Sequence, residues 1–320
     1  MKKSTKIWLI VAASLVFAGI IIFTAGMTAA DWDFQILGNK EYTTVTHSVS
    51  VGFTDITINS FESDITFAFS DDGRCKVVCY EENDRQYLVS VENGELLITA
   101  QDESKWYDHI GFDFKNPKIT VYLPKSDYGM LNITDSTGDI SIPADFHFKN
   151  ADVFVSTGDV NYNASGENIK IKASTGDITL AGVDANHITL SVSTGDITAL
   201  DINAQGSVDI RVSTGETYLK NVKCGGLSSV GNTGSITLTN LVASQNISIE
   251  RTTGDVKLEK CDAATLNIKT DTGDITGTIR TEKVFMYKTS TGDVRLPQTQ
   301  GGGEFRLTTS TGDIKIEIVG

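Results

Sequence analysis

Chemically reactive side chains are scarce in this 320-residue chain. It contains four histidines, four cysteines, four prolines and three tryptophans. The histidines, at positions 47, 109, 147 and 187, are scattered and lack the close spacing of metal ligands. The Gly-x-Ser-x-Gly, phosphate-loop and His-Glu-x-x-His patterns of common enzyme sites are also missing. We therefore expect no catalytic residues, no metal site and no cofactor.

The cysteines do not predict a disulfide framework. Cys75 and Cys79 lie four residues apart in one predicted strand. That spacing separates them by about 13 Å, beyond disulfide reach. Cys224 and Cys261 lie two sequence repeats apart, which corresponds to about 9.6 Å if the repeats stack. We expect four free and mostly buried thiols.

Positive charge is in short supply. The chain has 27 Lys and Arg against 41 Asp and Glu, and its formal net charge is −14 at pH 7. An acidic surface repels phosphate backbones and anionic lipid surfaces. Nucleic acid is therefore excluded as an expected partner.

The sequence has one long apolar run. Residues Ile7 to Met27 carry no charge and follow Lys2, Lys3 and Lys6. This length matches the hydrocarbon thickness of a bilayer, and the lysines favour a cytoplasmic amino end. We predict a cytoplasmic stub and signal-anchor helix over residues 1–30. A cleaved signal peptide ending near Ala30 is the alternative, and either way the remainder is exported.

One short phrase, Ser-Thr-Gly-Asp or a close variant, recurs ten times between Ser136 and Asp313. Its glycines are spaced 18 to 20 residues apart, a period typical of stacked-repeat architectures. We expect these glycines to form structural turns with positive φ, because glycine has no Cβ to clash there. They are Gly138, Gly158, Gly176, Gly195, Gly215, Gly234, Gly254, Gly273, Gly292 and Gly312.

Each repeat has apolar residues at fixed distances from its glycine. In the repeat of Gly254, Ile247 and Ile249 precede the turn, while Val256 and Leu258 follow it. Both pairs alternate with polar residues, which predicts two half-buried strands joined by a tight turn. One repeat cannot bury its apolar face alone, but a stack of repeats can.

This pattern predicts an all-β fold, a single-chain parallel β-helix or β-solenoid of about eleven 18–20-residue coils. A β-propeller is less well supported, because nothing pairs the repeats into blades of roughly 40 residues. The eleventh coil is a degenerate one, with Ser63 in the place of glycine. We predict a linker over residues 31–50, an atypical amino-terminal part and cap over 51–130, and the regular solenoid over 131–320.

The last repeat ends abruptly at Ile318-Val319-Gly320. We expect its strand to form the open end of the column, where unpaired backbone groups invite association with a partner. Lys315 and Glu317 alternate along this strand and would reduce such pairing.

Two rows of polar residues accompany the glycines. The aspartates that follow them form a potential cation ladder, but an Asx hydrogen bond within each turn is the simpler interpretation. The hydroxyl groups of the threonines that precede them are expected to bond the backbone along the stack. The aspartates are Asp139, Asp159, Asp177, Asp196, Asp255, Asp274, Asp293 and Asp313, with Glu216 and Ser235 as exceptions.

One aromatic stretch, residues 105–114, breaks the pattern. Trp106, Tyr107, Phe112 and Phe114 are its four aromatic residues. They either seal the amino-terminal end of the core or offer a binding surface to a sugar or protein. They are the best binding candidates in the sequence.

The Ser-Thr-Gly-Asp-Ile coils, the degenerate coil at Ser63-Asp64-Ile65 and the segment Ile119–Pro124 together resemble one bacterial family. It is the β-strand-repeat family labelled putative adhesin, which includes LiaG-like envelope proteins with a single amino-terminal membrane anchor. The similarity covers residues 51–320. It implies a surface β-solenoid, sometimes linked to envelope stress, and brings no catalytic residues.

These observations predict a single-pass membrane protein whose carboxyl-terminal domain is extracytoplasmic. We expect it to work without catalysis, as a binding, adhesin-like or scaffold protein of the cell envelope. Its expected partners are the membrane, through the amino-terminal helix, and an envelope protein or polysaccharide. The alternative is a polysaccharide-active β-helix enzyme, which needs a groove holding two acids and a nearby Arg or Lys.

Overall fold

The computed structural model describes residues 3–29, 32, 42–83, 85–102 and 116–319. Helix α1 spans Lys3–Ala29. Its segment Thr5–Ala29 is long and apolar enough to cross a membrane. The remaining described elements are β-strands, which confirms the predicted all-β solenoid with one preceding apolar helix.

The amino-terminal part contains both parallel and antiparallel strands. Its seven strands are β1 (Tyr42–Val49), β2 (Asp55–Asn59), β3 (Asp64–Phe69), β4 (Cys75–Glu82), β5 (Arg85–Glu92), β6 (Glu95–Asp102) and β7 (Lys118–Leu123).

The regular coils follow, and each has one strand before the Thr-Gly turn and one or two after it. Their strands are β8 (Asp127–Thr137), β9 (Ile140–Ile142), β10 (His147–Thr157), β11 (Val160–Tyr162), β12 (Asn168–Thr175), β13 (Ile178–Ala181), β14 (Asp184–Ala185), β15 (His187–Thr194), β16 (Ile197–Ala204), β17 (Ser207–Thr214), β18 (Thr217–Cys224), β19 (Gly226–Thr233), β20 (Ile236–Thr239), β21 (Val242–Ala243), β22 (Asn246–Thr253), β23 (Val256–Cys261), β24 (Thr265–Thr272) and β25 (Ile275–Ile279). The carboxyl-terminal strands are β26 (Lys283–Lys288), β27 (Val294–Arg295), β28 (Gly303–Thr311) and β29 (Ile314–Ile318).

Two parallel sheets enclose the core. The strands before the turns form the pre-turn sheet, and the strands after the turns form the post-turn sheet. Each strand pairs in register with its counterpart in the next coil, so that Ile169, Ile188 and Val208 lie in one row. These three residues are at most 2% exposed. Burying a side chain of this size stabilises the fold by about 2 kcal/mol.

The degenerate coil at Ser63 stacks on the first regular coil, as predicted. Strand β2 pairs with β8, and β3 pairs with β9. The coil count differs slightly from eleven, because β6 and β7 form a further parallel rung on the other side of β2 and β3.

Antiparallel strands cover this rung. Strand β5 forms a hairpin with β6 through Asn93 and Gly94, both with positive φ. Strand β4 pairs with β7, and β1 pairs with β4. Strand β1 lies in the segment 31–50 that we predicted as a linker. The alternation of Val45, His47 and Val49 with exposed residues suits an edge strand, and β4 offers it a free edge.

The carboxyl-terminal coils stack out of chain order, and here the prediction is wrong. Strand β28 lies between β24 and β26, and β29 lies between β25 and β27. The final coil is therefore inserted, and the coil of Gly292 forms the open end. Lys315 and Glu317 belong to an inner rung and do not protect the edge.

A buried ion pair between Lys283 and Asp262, called the clasp below, stabilises this arrangement. The Lys283 ammonium group reaches Asp262 Oδ1 at 2.7 Å, and the two side chains are 5% and 17% exposed. Lys283 lies opposite Gly303 of the inserted coil. Because Gly303 has no side chain, Lys283 can pass across the inserted coil to the coil beyond it.

All four thiols are free and buried. Cys224 pairs with Ala243 in the next coil, whereas Cys261 lies in the neighbouring inward row of Val222 and Leu241. The two thiols therefore occupy different rows as well as different coils.

Candidate functional site

The Thr-Gly turns form a continuous row along the column. The ten turn glycines have φ values between 122° and 152°. A Cβ on Gly195 would lie 2.1 Å from the carbonyl oxygen of Gly176 in the neighbouring coil. Glycine is needed here for two reasons, the backbone conformation and the close approach of adjacent coils.

The aspartates of this row join adjacent coils. Asp177 Oδ1 accepts a hydrogen bond from the backbone N–H of Asp196 at 2.8 Å, and Asp196 Oδ1 accepts one from Glu216 N–H at 2.7 Å. Seven of the eight turn aspartates accept such a bond from the next coil. The Asx interpretation placed this bond within the turn of the aspartate itself. Ser235 does the same through its hydroxyl, which accepts from Asp255 N–H at 3.2 Å.

The threonines use a different atom from the one predicted. Gly195 N–H donates to the carbonyl oxygen of Thr214 at 3.0 Å, and the other turns repeat this bond. In the described part of the chain, the row is joined through threonine carbonyls, and the threonine side chains are exposed. The turn row is thus a structural device.

A second row of hydrogen bonds runs along the loose corner of the coils. Asp201, Asn221 and Asn240 have φ near +56°, and Gly182 precedes them in the same position. Asn221 Nδ2 donates to Asp201 Oδ1 and Asn240 Nδ2 donates to Asn221 Oδ1, both at 2.7 Å. Sequence reasoning missed this row, although Gly, Asp and Asn six residues after the turn glycine are the residues that tolerate left-handed backbone.

The aromatic candidates Trp106, Tyr107, Phe112 and Phe114 lie outside the described residues. The strands on either side of them, β6 and β7, form one rung of the two sheets.

A groove lies at the amino-terminal end of the column. Its volume is about 700 Å³, and it lies between the β1–β2 connection, the β3–β4 loop and the β7–β8 turn. Its lining combines hydroxyl, cationic and apolar groups, among them Ser50, Arg74, Lys76, Phe53 and Tyr128. This mixture suits a ligand with both polar and apolar parts.

One acid, Asp72, lines this amino-terminal groove, and its carboxylate is hydrogen-bonded within its own loop. Asp72 accepts hydrogen bonds from Ser70 Oγ at 2.7 Å and from Arg74 N–H at 3.0 Å. These bonds lower the pKa of Asp72. The Lys76 ammonium group lies 4.3 Å from the centre of the Tyr122 ring.

A smaller furrow of about 310 Å³ crosses the middle coils. His187 Nδ1 accepts from Ser207 N–H at 3.3 Å, which leaves Nε2 as the protonated nitrogen of the neutral ring. The Ser207 hydroxyl donates to Asp209 Oδ2 at 2.9 Å. A Cβ on Gly206 would lie 2.4 Å from the His187 ring, so glycine makes room for it.

This arrangement is not that of a catalytic triad. In a triad, histidine lies between the nucleophile and the acid, so that it can take the proton of the nucleophile. Here Ser207 lies between His187 and Asp209 and donates directly to the carboxylate. The furrow can therefore bind a polar group, but it does not activate the serine.

A polar cluster lies buried beneath the amino-terminal strands. The Tyr87 hydroxyl contacts Ser63 Oγ and lies 3.1 Å from Ser60 Oγ. Asp135 is 1% exposed, and neither of its carboxylate oxygens reaches hydrogen-bonding geometry with a described residue. Burial raises the pKa of Asp135 to about 6, although Ser60 and the amides of Ser136 and Ser63 offset part of the shift.

Metal binding finds no support in the described part of the chain. No group of three or more His, Cys, Asp and Glu side chains there could hold a metal ion.

The fold and its surfaces define a β-solenoid protein with one apolar amino-terminal helix. The chain belongs to the Toastrack DUF4097 family, whose model matches residues 53–221 and 186–320. The resemblance predicted from the repeats is thereby confirmed. No curated protein matches the sequence.

Several solved structures are similar to this chain. A putative adhesin from Bacteroides fragilis is 15% identical, with a TM-score of 0.41 over 88% of this chain and 99% of that one. A putative lipid binding protein from Parabacteroides distasonis is 15% identical, with a TM-score of 0.43 over 86% and 97%. A putative adhesin from the same organism is 14% identical, with a TM-score of 0.48 over 76% and 98%.

Proposed function

We propose that this protein is a membrane-anchored extracytoplasmic β-solenoid that binds a protein or polysaccharide of the cell envelope without catalysis. Helix α1 supplies the anchor, and the acidic column supplies a long, rigid surface in an adhesin-like or scaffold role. The family resemblance adds a link to envelope stress as part of the proposal.

The amino-terminal groove is the observation that carries this proposal. It offers serine hydroxyls, Arg74, Lys76 and apolar side chains, but a single acid, Asp72, which is bonded within its own loop. Glycoside hydrolysis uses two carboxyl groups that flank the scissile bond. The furrow beside His187 also has one lining acid, Asp209, and no Arg or Lys among its described lining residues. Binding is therefore favoured over the polysaccharide-active alternative.

The test uses the full-length protein in detergent and immobilised envelope polysaccharide. We expect retention on the polysaccharide without the release of new reducing ends. Arg74→Ala should weaken retention, while Lys220→Ala, a matched change on an exposed face of the middle coils, should not. Reducing ends that increase with the amount of protein would show an enzyme instead.

A further inference from the structure

The open end of the column is an apolar surface with unpaired strand edges. Strand β26 pairs with β28 on one side, and β27 pairs with β29 on one side. Among the described strands, none pairs with their other sides. Tyr287 of β26 lies in the inward row of Leu307 and is 59% exposed. Val284 and Met286 lie on the outer face of the strand and are 46% and 41% exposed. At the opposite end, β1, β4 and β5 cover the column with antiparallel strands.

The sequence of β26 is suited to pairing with itself. In an antiparallel pair centred on Met286, Phe285 would lie opposite Tyr287 of a second copy, and Val284 opposite Lys288. Lys283 would lie opposite Thr289, so no like charges would face each other. Aromatic cross-strand pairs stabilise antiparallel sheets.

The charge at this end permits such a contact. Lys283, the innermost cation of β26, is already paired with Asp262. On the outer coil, Lys288 and Arg295 offset Glu282 and Asp293, whereas the whole chain has a formal net charge of −14. Two copies therefore repel each other less at this end than along the acidic column.

We infer that two copies of this chain join end to end through antiparallel pairing of β26 about a two-fold axis at Met286. Two-fold interfaces use the same patch on both copies, which this strand satisfies. The pairing would continue the pre-turn sheet and cover Phe285 and Tyr287. The two β1 strands, which follow α1 in the chain, would then lie at the far ends of the pair. If the anchoring proposed above holds, the pair would connect two facing membranes.

Cysteine cross-linking tests the pairing. Opposed residues in antiparallel strands have Cα atoms about 4.5–5.5 Å apart, within disulfide range. Met286→Cys in the full-length protein in detergent should therefore give a disulfide-linked dimer under mild oxidation. The four native thiols are buried and should contribute little.

Two control variants fix the position and the register. Val230→Cys is on a middle coil, where Val230 is 43% exposed, slightly more than Met286. Val284→Cys lies on β26 itself, but in the proposed register its copies are about 14 Å apart. We expect at least ten times more dimer from Met286→Cys than from either control.

Met286→Lys complements the cross-linking, because two lysines would then face each other at the axis. It should reduce the dimer fraction in sedimentation at least tenfold while leaving the β-sheet circular dichroism unchanged. Equal cross-linking of all three cysteine variants would overturn the inference. So would a wild-type protein that stays monomeric at about 100 µM, which is about ten times a weak Kd of about 10 µM. Neither result bears on anchoring or on the binding of polysaccharide.

Discussion

At the scale of single residues, the turn glycine satisfies two requirements at once. It adopts a positive φ, and it lets the backbones of adjacent coils approach closely. The first requirement was readable from the Thr-Gly-Asp phrase. The second was not, because it depends on the exact stacking of one coil on the next.

Two alanine substitutions separate these requirements. Gly182 has φ +68°, but a Cβ added there would meet no atom within 4 Å, whereas a Cβ on Gly195 would meet the Gly176 carbonyl oxygen at 2.1 Å. We expect Gly182→Ala to cost about 1 kcal/mol and Gly195→Ala about 3 kcal/mol in the free energy of unfolding. Gly195→Val should cost at least as much as Gly195→Ala. Urea denaturation measures the difference, and equal costs would show that close stacking is unimportant.

The inter-coil carboxylates make a second prediction. Asp196→Asn keeps an acceptor for Glu216 N–H and should change stability by less than about 0.5 kcal/mol, while Asp196→Ala should cost about 1 kcal/mol. Calcium and chelator should give the same melting curve for the wild type. A calcium-dependent rise of several degrees that Asp196→Asn reduces would identify a metal site.

Asp135 predicts a specific pH dependence. Its pKa is raised from 3.8 to about 6 by burial, so its contribution to stability is fully present below pH 3.8 and is lost as the pH rises through about 6. Asp135→Asn should therefore be more stable than wild type at pH 7.5, by up to about 3 kcal/mol.

The advantage of Asp135→Asn should be constant above about pH 7 and should shrink as the pH falls from about 6 to 4.5, measured by urea denaturation at each pH. Asp139→Asn, on the exposed turn row, is the matched control for the substitution itself. A constant difference between Asp135→Asn and wild type across this range would contradict the raised pKa.

At the scale of elements, the strands were predictable and their order was not. The alternation of Ile247 and Ile249 with polar residues marks a strand wherever the coil lies in the stack. The coils of Gly273, Gly292 and Gly312 carry similar turns, so any order of stacking satisfies the same pattern. The decisive interaction, Lys283 with Asp262, joins residues on coils that are not neighbours in the column.

The clasp should contribute measurably to the stability of the carboxyl-terminal end. Lys283→Met would leave the largely buried Asp262 carboxylate without its cation and should cost about 2 kcal/mol. Adding Asp262→Asn should recover part of this loss. Proteolysis near residues 289–302 should become faster in the single variant, and an unchanged rate would show that the clasp does not hold the outer coil.

At the scale of the whole molecule, an apolar helix precedes an acidic column with a covered amino-terminal end and an open carboxyl-terminal end. The repeats and the apolar run made this plan predictable. The ligand surfaces were not, because the amino-terminal groove is assembled from loops that lie far apart in the sequence. The binding role of the aromatic stretch at residues 105–114 stays a prediction, because these aromatic residues lie outside the described residues.

Protease accessibility on intact cells stripped of their wall tests the central claim, that the column is exported and anchored. We expect added protease to digest the column, and we expect the full-length protein to sediment with membranes when no protease is added. Full protection from the protease would contradict export. Release of a protein that begins near residue 31 into the medium would contradict the anchor.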